Sequence, residues 1–400
     1  MRKIRNVFLL LSLLSLVSLI SYRLGENSSN KFGLTGTSEF NLSKMWYVKG
    51  RLETLFLEKD KFDDKKMAEG AISGMVSSLE DPYTFYLPAA ENKSANEDLA
   101  GQFGGVGISL GYKDKTLSVM APLAKTPAER AGLQSGDLIL KITDKNKKIE
   151  KNTVGISLQE AVEIIRGKIG TEVTLNMYRE SSKETFDVTL KRENIVVPSI
   201  ELEFKEKDGK KVAWVKLYKF TDLLYKEWGE IVTNIKKENT AGIVLDLRNN
   251  PGGYLQASVM VASDFLKNGI VVSQESSDGS KEDYVVDKTL GRLVDTKVVV
   301  LVNGGSASAS EILAGALKEY KRATLVGEKT FGKGTVQQPE DFSDGSGIHV
   351  TIARWLLPNG VNIHKVGVSP DVEVVYEPPK EEGSKADNQL DKAIEVLFSL

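Results

Sequence analysis

The 400-residue chain contains no cysteine and only two histidines, His349 and His364. Without cysteine there is no disulfide framework, thiolate zinc site, cysteine nucleophile or lipidated cysteine. Two histidines nearly exclude a multi-histidine metal centre. Neither charge sign dominates: 53 Lys and Arg stand against 55 Asp and Glu, a formal net charge of −2. The chain therefore lacks the broad basic field that grips phosphate backbones, and nucleic acid is not the main partner. It also lacks a phosphate-loop glycine signature and any internal repeat of fixed period. One apolar run near the N-terminus aside, nothing approaches the roughly 20 residues of a membrane span, which rules out a multi-span membrane protein. What remains, 41% apolar and 27% charged residues, is the balance of a soluble globular protein. Its length calls for two or three domains.

Arg2, Lys3 and Arg5 precede an uncharged run from Val7 to Tyr22, closed by Arg23. This is the positive n-region and apolar h-region of an export segment, residues 1–25. It is either a cleaved signal peptide or a short uncleaved membrane anchor. The flank Ser18-Leu19-Ile20-Ser21-Tyr22 offers no A-x-A-type cleavage site, which favours the anchor. Either way the positive end stays inside and the rest of the chain is exported, to the periplasm or cell envelope.

Residues 26–95 combine a linker, Glu26–Gly36, with a helical segment, Phe40–Leu79. Leu52, Leu55 and Phe56 fall at i, i+3 and i+4, and Ala68, Ile72, Met75 and Leu79 follow the same rule until Asp81-Pro82 stops the helix. The polar stretch Ala90–Asp98 shows no strong element. Strand-like runs dominate residues 96–193, and strand–helix alternation fills 194–376. Residues 377–400 form a second linker and an amphipathic helix with Leu390, Ala393, Ile394 and Leu397 on one face. The N-terminal helices and this last stripe are apolar faces outside the larger domains. Such stripes mark interfaces, so the ends are expected to pair across a homodimer; the plain alternative folds Leu390, Ile394 and Leu397 back onto their own core.

In the first large segment, Gly104-Gly105-Val106-Gly107 feeds the alternating strand Ile108-Ser109-Leu110. Successive backbone N–H groups in such a turn form a nest for a carboxylate, although an ordinary hairpin turn also fits. Ala131-Gly132-Leu133-x-x-Gly136-Asp137 marks a turn, and Leu158, Ala161, Val162 and Ile165 line one face of a helix. This order resembles a PDZ domain, circularly permuted as in bacterial proteases. The resemblance implies Gly104, Gly105, Val106 and Gly107 as the carboxylate loop, Ile108 and Leu110 as the strand to which a peptide adds, and Val162 and Ile165 as the pocket wall. Arg166 reads either as a solvated helix end or as a sensor of bound peptide. The chain's own Phe398-Ser399-Leu400 end has the form of a ligand for such a domain.

Three later motifs carry chemistry. The apolar strand Val298–Val302 meets Asn303-Gly304-Gly305, then Ser306-Ala307-Ser308-Ala309-Ser310-Glu311 and a helix. That places a hydroxyl at a strand end and a helix N-terminus, where the dipole favours developing negative charge. Ser308-x-x-Glu311 also matches a capping box, which would make Ser308 a mere N-cap. Next, Phe331-Gly332-Lys333-Gly334-Thr335-Val336-Gln337 reads as a glycine turn entering a strand from 333 to 338, with Lys333, Thr335 and Gln337 on one face. Desolvation would lower the lysine's pKa from about 10.4 and let the neutral amine take a proton from a serine; a snorkelling surface lysine is the ordinary alternative. Finally, Leu245-Asp246-Leu247-Arg248-Asn249-Asn250-Pro251-Gly252-Gly253 ends an apolar strand in a loop whose glycine amides suit an oxyanion hole, with the Ala309 N–H as second donor. Asp246 and Arg248 read as a structural pair.

Together these motifs resemble the C-terminal processing peptidases, or tail-specific proteases, from about residue 40 to 376. Ile72 to Phe85, Arg354-Trp355-x-x-Pro358-Asn359-Gly360 and Gly367-x-x-Pro370-Asp371 also fit. The resemblance implies Ser308 as nucleophile over Ser306 and Ser310, Lys333 as general base, Gln337 as its support, and Gly252 or Gly253 in the oxyanion hole. It further implies a mixed α/β, crotonase-like spiral core with an inserted PDZ domain and no metal or organic cofactor. The expected activity is serine endopeptidase action, through an acyl-enzyme, on proteins with free apolar C-termini. Two rivals stand beside it. A Ser-His-Asp protease needs a histidine base, but both histidines follow the serine without a catalytic signature. A PDZ scaffold without proteolysis needs no reactive serine.

Overall fold

The computed structural model describes residues 42–378 and 386–400. The export segment, the Glu26–Gly36 linker and most of the second linker lie outside the described residues. Among the described residues no helix is long and apolar enough to cross a membrane. The chain divides into two compact units, one ending at Ala68 and one beginning at Glu69.

The first unit holds helix α1 (Ser43–Leu55) and a 3-10 turn at Lys59–Lys61. Its apolar side chains are largely uncovered, Trp46 at 63%, Leu55 at 64% and Leu57 at 91% exposure. Helix α2 (Asp64–Ser77) starts at an aspartate cap, where the Asp63 carboxylate accepts the N–H groups of Lys65 and Lys66 at 3.0 and 3.1 Å.

In the second unit β1 (Phe85–Leu87) leads into α3 (Ala89–Ala100). The sequence reading saw no strong element here, and the reason is physical. The anchored face of α3 is polar: buried Asn92 donates to the Asp341 carboxylate at 2.7 Å and the Gly345 carbonyl at 3.2 Å, so no apolar period marks the helix.

The next segment comprises β2 (Gln102–Gly105), β3 (Ile108–Lys113), β4 (Thr116–Pro122), β5 (Leu138–Asp144), β6 (Ile149–Asn152), α4 (Leu158–Ile165), β7 (Glu172–Arg179), β8 (Glu184–Lys191) and β9 (Glu193–Val196). Its sheet runs β3-β4-β5-β7-β8, with β6 on β5. Leu117, Val119, Ile139, Ile142, Leu175 and Met177 fill its core. The buried Arg192 pairs with Asp144 at 2.6 Å and donates to the Ile164 and Ile165 carbonyls, fixing the end of α4. Strands β2 and β9 close the segment as a two-stranded ribbon.

The last segment adds β10 (Ile200–Lys207), β11 (Lys210–Leu217), α5 (Leu224–Lys237), β12 (Ile243–Asp246), α6 (Leu255–Phe265), β13 (Ile270–Ser276), β14 (Lys281–Val285), β15 (Val298–Val302), α7 (Ala309–Glu319), β16 (Thr324–Gly327), β17 (Thr335–Asp341), β18 (Gly347–Leu356), β19 (Val372–Glu373) and α8 (Asn388–Ser399). The main sheet has the order β10-β11-β12-β15-β16-β19, and every pairing after β10–β11 is parallel. Val215, Leu245, Val298, Val300 and Val302 pack with α5, α6 and α7 in the larger core. Val212, Val244, Val299, Leu301 and Val326 pack with α8 in a second one. Burial on both faces explains why β15 is an unbroken valine–leucine run. It also corrects the expected role of the C-terminal stripe. Leu390, Ala393, Ile394 and Leu397 are all buried against this sheet, so they fold onto their own core and offer no dimer face. The Phe398-Ser399-Leu400 end belongs to the docked helix, with the Leu400 N–H bonded to the Val396 carbonyl at 3.3 Å.

A second sheet, β1-β18-β13-β14 with β17 also on β18, sets β1 and the strand that follows Lys333 on opposite edges of β18.

Candidate active site

Three serines compete at the end of β15, and their surroundings separate them. Ser306 is fully buried; its hydroxyl donates to the Leu247 carbonyl at 2.8 Å and accepts the Asn303 N–H at 3.0 Å. Ser310, also fully buried, donates to the Asn250 carbonyl at 2.9 Å. Both hydroxyls are structural. Ser308 is half-buried at the start of α7, with φ 56° and ψ −115°, a strained backbone for a residue with a Cβ. An N-cap serine is normally extended and bonds an N–H of the first turn; here the Ser308 side chain makes its capping-box contact with the Glu311 N–H, but no side-chain cap hydrogen bond of standard geometry forms. The glutamate half of the capping box is sound, with Glu311 accepting the Ser308 N–H at 2.9 Å.

Glu311 does more than cap. It is fully buried, and its carboxylate accepts from four donors. Oε2 takes the Ser308 and Lys333 N–H groups, each at 2.9 Å. Oε1 takes the Gly332 N–H at 2.7 Å and the Thr330 hydroxyl at 2.5 Å. One oxygen thus binds the amides of both Ser308 and Lys333, holding the two nitrogens within twice 2.9 Å of each other. Sequence reasoning saw only the local box, because the other partners lie on a separate loop.

The Lys333 side chain is half-buried. Burial pushes its amine below the usual lysine value, while Asp81 and Glu311 pull the other way. Its Nζ lies 5.1 Å from the centroid of the Tyr83 ring. The strand expected from 333 begins only at Thr335, and a register shift between Val336 and Gln337 interrupts the two-residue alternation. Lys333 therefore sits in the glycine turn, placed by Glu311 rather than by a strand face. The Gln337 amide donates to the hydroxyls of Thr335 at 2.9 Å and Thr351 at 3.2 Å. These bonds tie β17 to β18 behind the lysine. Asp81, read in the sequence only as part of a helix stop, and Tyr83, not singled out there, are the side chains missed; the Asp81-Pro82-Tyr83-Thr84 turn carries no local chemical signature.

Among the described residues no carboxylate is hydrogen-bonded to either histidine ring. His349 stacks on Phe85 at 4.8 Å, and His364 meets the Tyr83 ring edgewise at 6.0 Å. His349 Nε2 and His364 Nδ1 are buried without partners. A Ser-His-Asp relay is not assembled.

The oxyanion candidates are ordered by Asn250, which is completely buried. Its carbonyl accepts the Ala307 N–H at 3.0 Å and the Ser310 hydroxyl, its Oδ1 accepts the Gly252 N–H at 2.9 Å, and its Nδ2 donates to the Leu217 carbonyl at 2.7 Å. Gly252 has φ 104°, and a Cβ there would lie 2.8 Å from the Ser308 Cβ, so only glycine lets this loop lie against the serine. Its amide is spent on Asn250. Among the described residues the amides of Gly253 and Ala309 donate to no protein acceptor. Asp246 and Arg248 form the expected structural pair at 2.6 Å, and Arg248 continues to Asp387 at the start of α8.

At the other site, Gly104 and Gly105 belong to β2, paired with Asn194 and Glu193, so only Val106 and Gly107 form the free turn. A Cβ on Gly104 would meet the Gly167 carbonyl at 2.1 Å, where the two backbones exchange a 2.9 Å hydrogen bond. Strand β3 is an edge strand, with Ile108 and Leu110 packed on the domain core. Val162 is half-buried and Ile165 buried within that core. Arg166 is no solvated helix end. It stacks on Phe103 at 3.9 Å and donates to Ser94 at 3.1 Å and Asp98 at 3.2 Å on α3.

The profile of peptidase family S41 matches residues 211–374, that of the PDZ domain 104–190, and that of the activating protease CtpB N-terminal domain 36–91. The carboxy-terminal processing protease CtpA of Bacillus subtilis (strain 168) is 35% identical over 376 residues, covering 93% of this chain and 77% of its own. This chain belongs to the C-terminal processing peptidases of family S41. It is a CtpA-like serine peptidase with a PDZ domain. A probable CtpA-like serine protease of Staphylococcus epidermidis (strain ATCC 12228 / FDA PCI 1200) is 38% identical over 372 residues, covering 93% of this chain and 72% of its own. A putative S41 protease structure from Bacteroides fragilis NCTC 9343 shares the fold with a TM-score of 0.55 at 17% identity, covering 88% of this chain and 97% of its own. The S41 match contains Ser308, Glu311, Lys333 and Gly253, whereas Asp81 and Tyr83 fall in the N-terminal match. The candidate site thus draws side chains from two separately matched regions.

Proposed function

We propose that this peptidase cleaves by a Ser-Lys mechanism, with Ser308 as nucleophile and Lys333 as general base. The observation that carries the reading is the Glu311 carboxylate, which binds the amides of both residues while the neighbouring serines are spent on structure. Neutral Lys333 takes the Ser308 hydroxyl proton as the Oγ–C bond forms, and the carbonyl π pair moves to oxygen. The amides of Gly253 and Ala309 receive that oxyanion. The resulting ammonium gives its proton to the departing amine nitrogen as the C–N bond breaks, leaving an acyl-enzyme for water. Gln337 supports the lysine's turn through Thr335 and Thr351.

Substrates are protein tails with a free carboxylate and an apolar last residue, added as a strand to the open edge of β3. The unspent amides of Val106 and Gly107 suit the carboxylate. Residues 1–25 export the enzyme to the periplasm or cell envelope and anchor it if uncleaved. The uncovered apolar side chains of α1 favour pairing with a second copy.

Labelling with a serine-directed fluorophosphonate tests the core of this reading. Wild type reacts at Ser308, Ser308→Ala does not, and Lys333→Ala reacts far more slowly. Equal labelling of Lys333→Ala and wild type at neutral pH overturns it.

A further inference from the structure

Lys333 Nζ stands 5.1 Å from the centroid of the Tyr83 ring. The ring reaches it from the turn after α2, and that turn is firmly held. Asp81 accepts the Tyr83 N–H at 3.1 Å and the Thr84 hydroxyl at 2.7 Å, and Thr84 Oγ1 accepts the Thr351 N–H of β18 at 3.0 Å. His364 meets the ring edge-to-face, with centroids 6.0 Å apart. Among the described residues the charged and titratable groups around the amine are therefore Asp81 and Tyr83 from this turn, Glu311 from α7, His349 from β18 and, against the ring, His364.

An aromatic face attracts a cation but gives a neutral amine almost nothing. A carboxylate in the same place would bond the lysine directly and hold it as an ammonium in the resting enzyme, where it is useless as a base. A ring applies a weaker pull, and only once the proton has arrived. We propose that Tyr83 is the electrostatic partner of Lys333 in catalysis: its ring face stabilises the ammonium that forms as the Ser308 hydroxyl proton passes to Nζ. This rests on Lys333 being the general base. It gives the N-terminal match region a direct part in chemistry otherwise supplied by the S41 segment.

The experiment replaces Tyr83 by phenylalanine and by the trifluoro and pentafluoro analogues of that residue, which preserve ring shape while draining its negative face. The pH dependence of kcat/KM on a short peptide is then measured for each, with Lys333→Ala alongside. Tyr83→Phe, which keeps an unfluorinated ring face, supplies the reference profile for the series. Along the fluorinated series the rising limb should move to lower pH by about 0.4 to 1.5 in total. The high-pH plateau should fall about two- to thirty-fold, because the base becomes weaker. A merely structural ring would lower the plateau without moving the limb, or move the limb upward as water reaches the lysine. Either result, with Lys333→Ala inactive, overturns the role of Tyr83 alone. Full activity in Lys333→Ala overturns the base assignment beneath it.

Discussion

Replacing Glu311 with glutamine changes one atom and should disable the site. Each carboxylate oxygen serves two donors: Oε1 binds Gly332 and Thr330, and Oε2 binds Ser308 and Lys333. An amide keeps one oxygen and turns an NH2 group toward two other donors, whichever way it is flipped. Two charge-assisted bonds disappear, each worth about 1.5–3 kcal/mol, so the loss is about 3–6 kcal/mol. That is a large share of the roughly 5–15 kcal/mol that holds a typical domain folded. Part of it will be relieved by local loosening of the 330–334 turn, and that loosening is what matters for activity: a displacement near 1 Å between reacting groups costs about 100-fold in rate. Glu311→Gln should therefore show a clearly lowered denaturation midpoint and a kcat/KM reduced by about 100-fold or more. Thr330→Ser, which keeps the hydroxyl that bonds Glu311 and accepts the Val368 N–H at 2.7 Å, should stay near wild type. Wild-type midpoint and wild-type kcat/KM in Glu311→Gln would refute the claim that this carboxylate holds nucleophile and base together.

Activity should rise with pH. Burial holds the Lys333 ammonium below its ordinary 10.5, so the neutral base is scarce below that lowered value and accumulates as pH climbs through it; Lys333→Arg, protonated throughout, should be inactive at every pH in the same peptide assay. Gly252→Ala should keep the fold by circular dichroism yet lose about 100- to 1,000-fold in kcat, because its Cβ would push on Ser308 at 2.8 Å beside the oxyanion amides. Leu397→Ala, at the fully buried end of the α8 stripe, should cost about 2–5 kcal/mol in urea unfolding while leaving the solution mass unchanged; a halved mass would restore the tail as a dimer contact. Amidating a substrate's tail should weaken its processing far more than it weakens cleavage of a short peptide, and equal processing would remove the PDZ groove from recognition.

Much of the site was legible because its elements are local. The Val298–Val302 strand, the glycine pair after it and the helix start can be read directly, since double-sided burial and helix-terminus chemistry leave composition marks. What spacing could not decide was which of Ser306, Ser308 and Ser310 reacts. That choice depends on where each hydroxyl finds a partner, and the partners, Leu247 and Asn250, sit on another strand's loop. The strand predicted from 333 began too early because Glu311 pins the Lys333 amide in a turn. Helix α3 was invisible because a polar anchor, Asn92, does the work that an apolar stripe usually does. The α8 stripe was read correctly as apolar, but a stripe does not say what covers it; the alternating outward residues of the main sheet do, and only the pairing order reveals them.

The way the site is held follows from where its parts come from. Ser308 and Ala309 sit at the N-terminal end of α7, Gly253 on the loop after β12, Lys333 on the turn before β17, and Tyr83 on the turn before β1. No single element could place them, and side chains packed by hydrophobic contact alone would leave slack. The connections are instead made by two fully buried polar residues, Asn250 through its backbone carbonyl and its side-chain amide, and Glu311 through its carboxylate. Asn250 ties the glycine loop to the serine loop through its carbonyl and Oδ1, while Nδ2 moors both to the Leu217 carbonyl at the end of β11. Glu311 ties the serine loop to the lysine turn. Two hubs thus join three loops in series. A buried polar group with all its partners is directional and costly to disturb, so each loop has one low-energy placement relative to the next. Sharing Asn250 and Glu311 also means that loosening either hub moves more than one reacting group at once. Substitutions at the two hubs should therefore combine less than additively in kcat/KM, unlike pairs of changes at distant, unconnected sites.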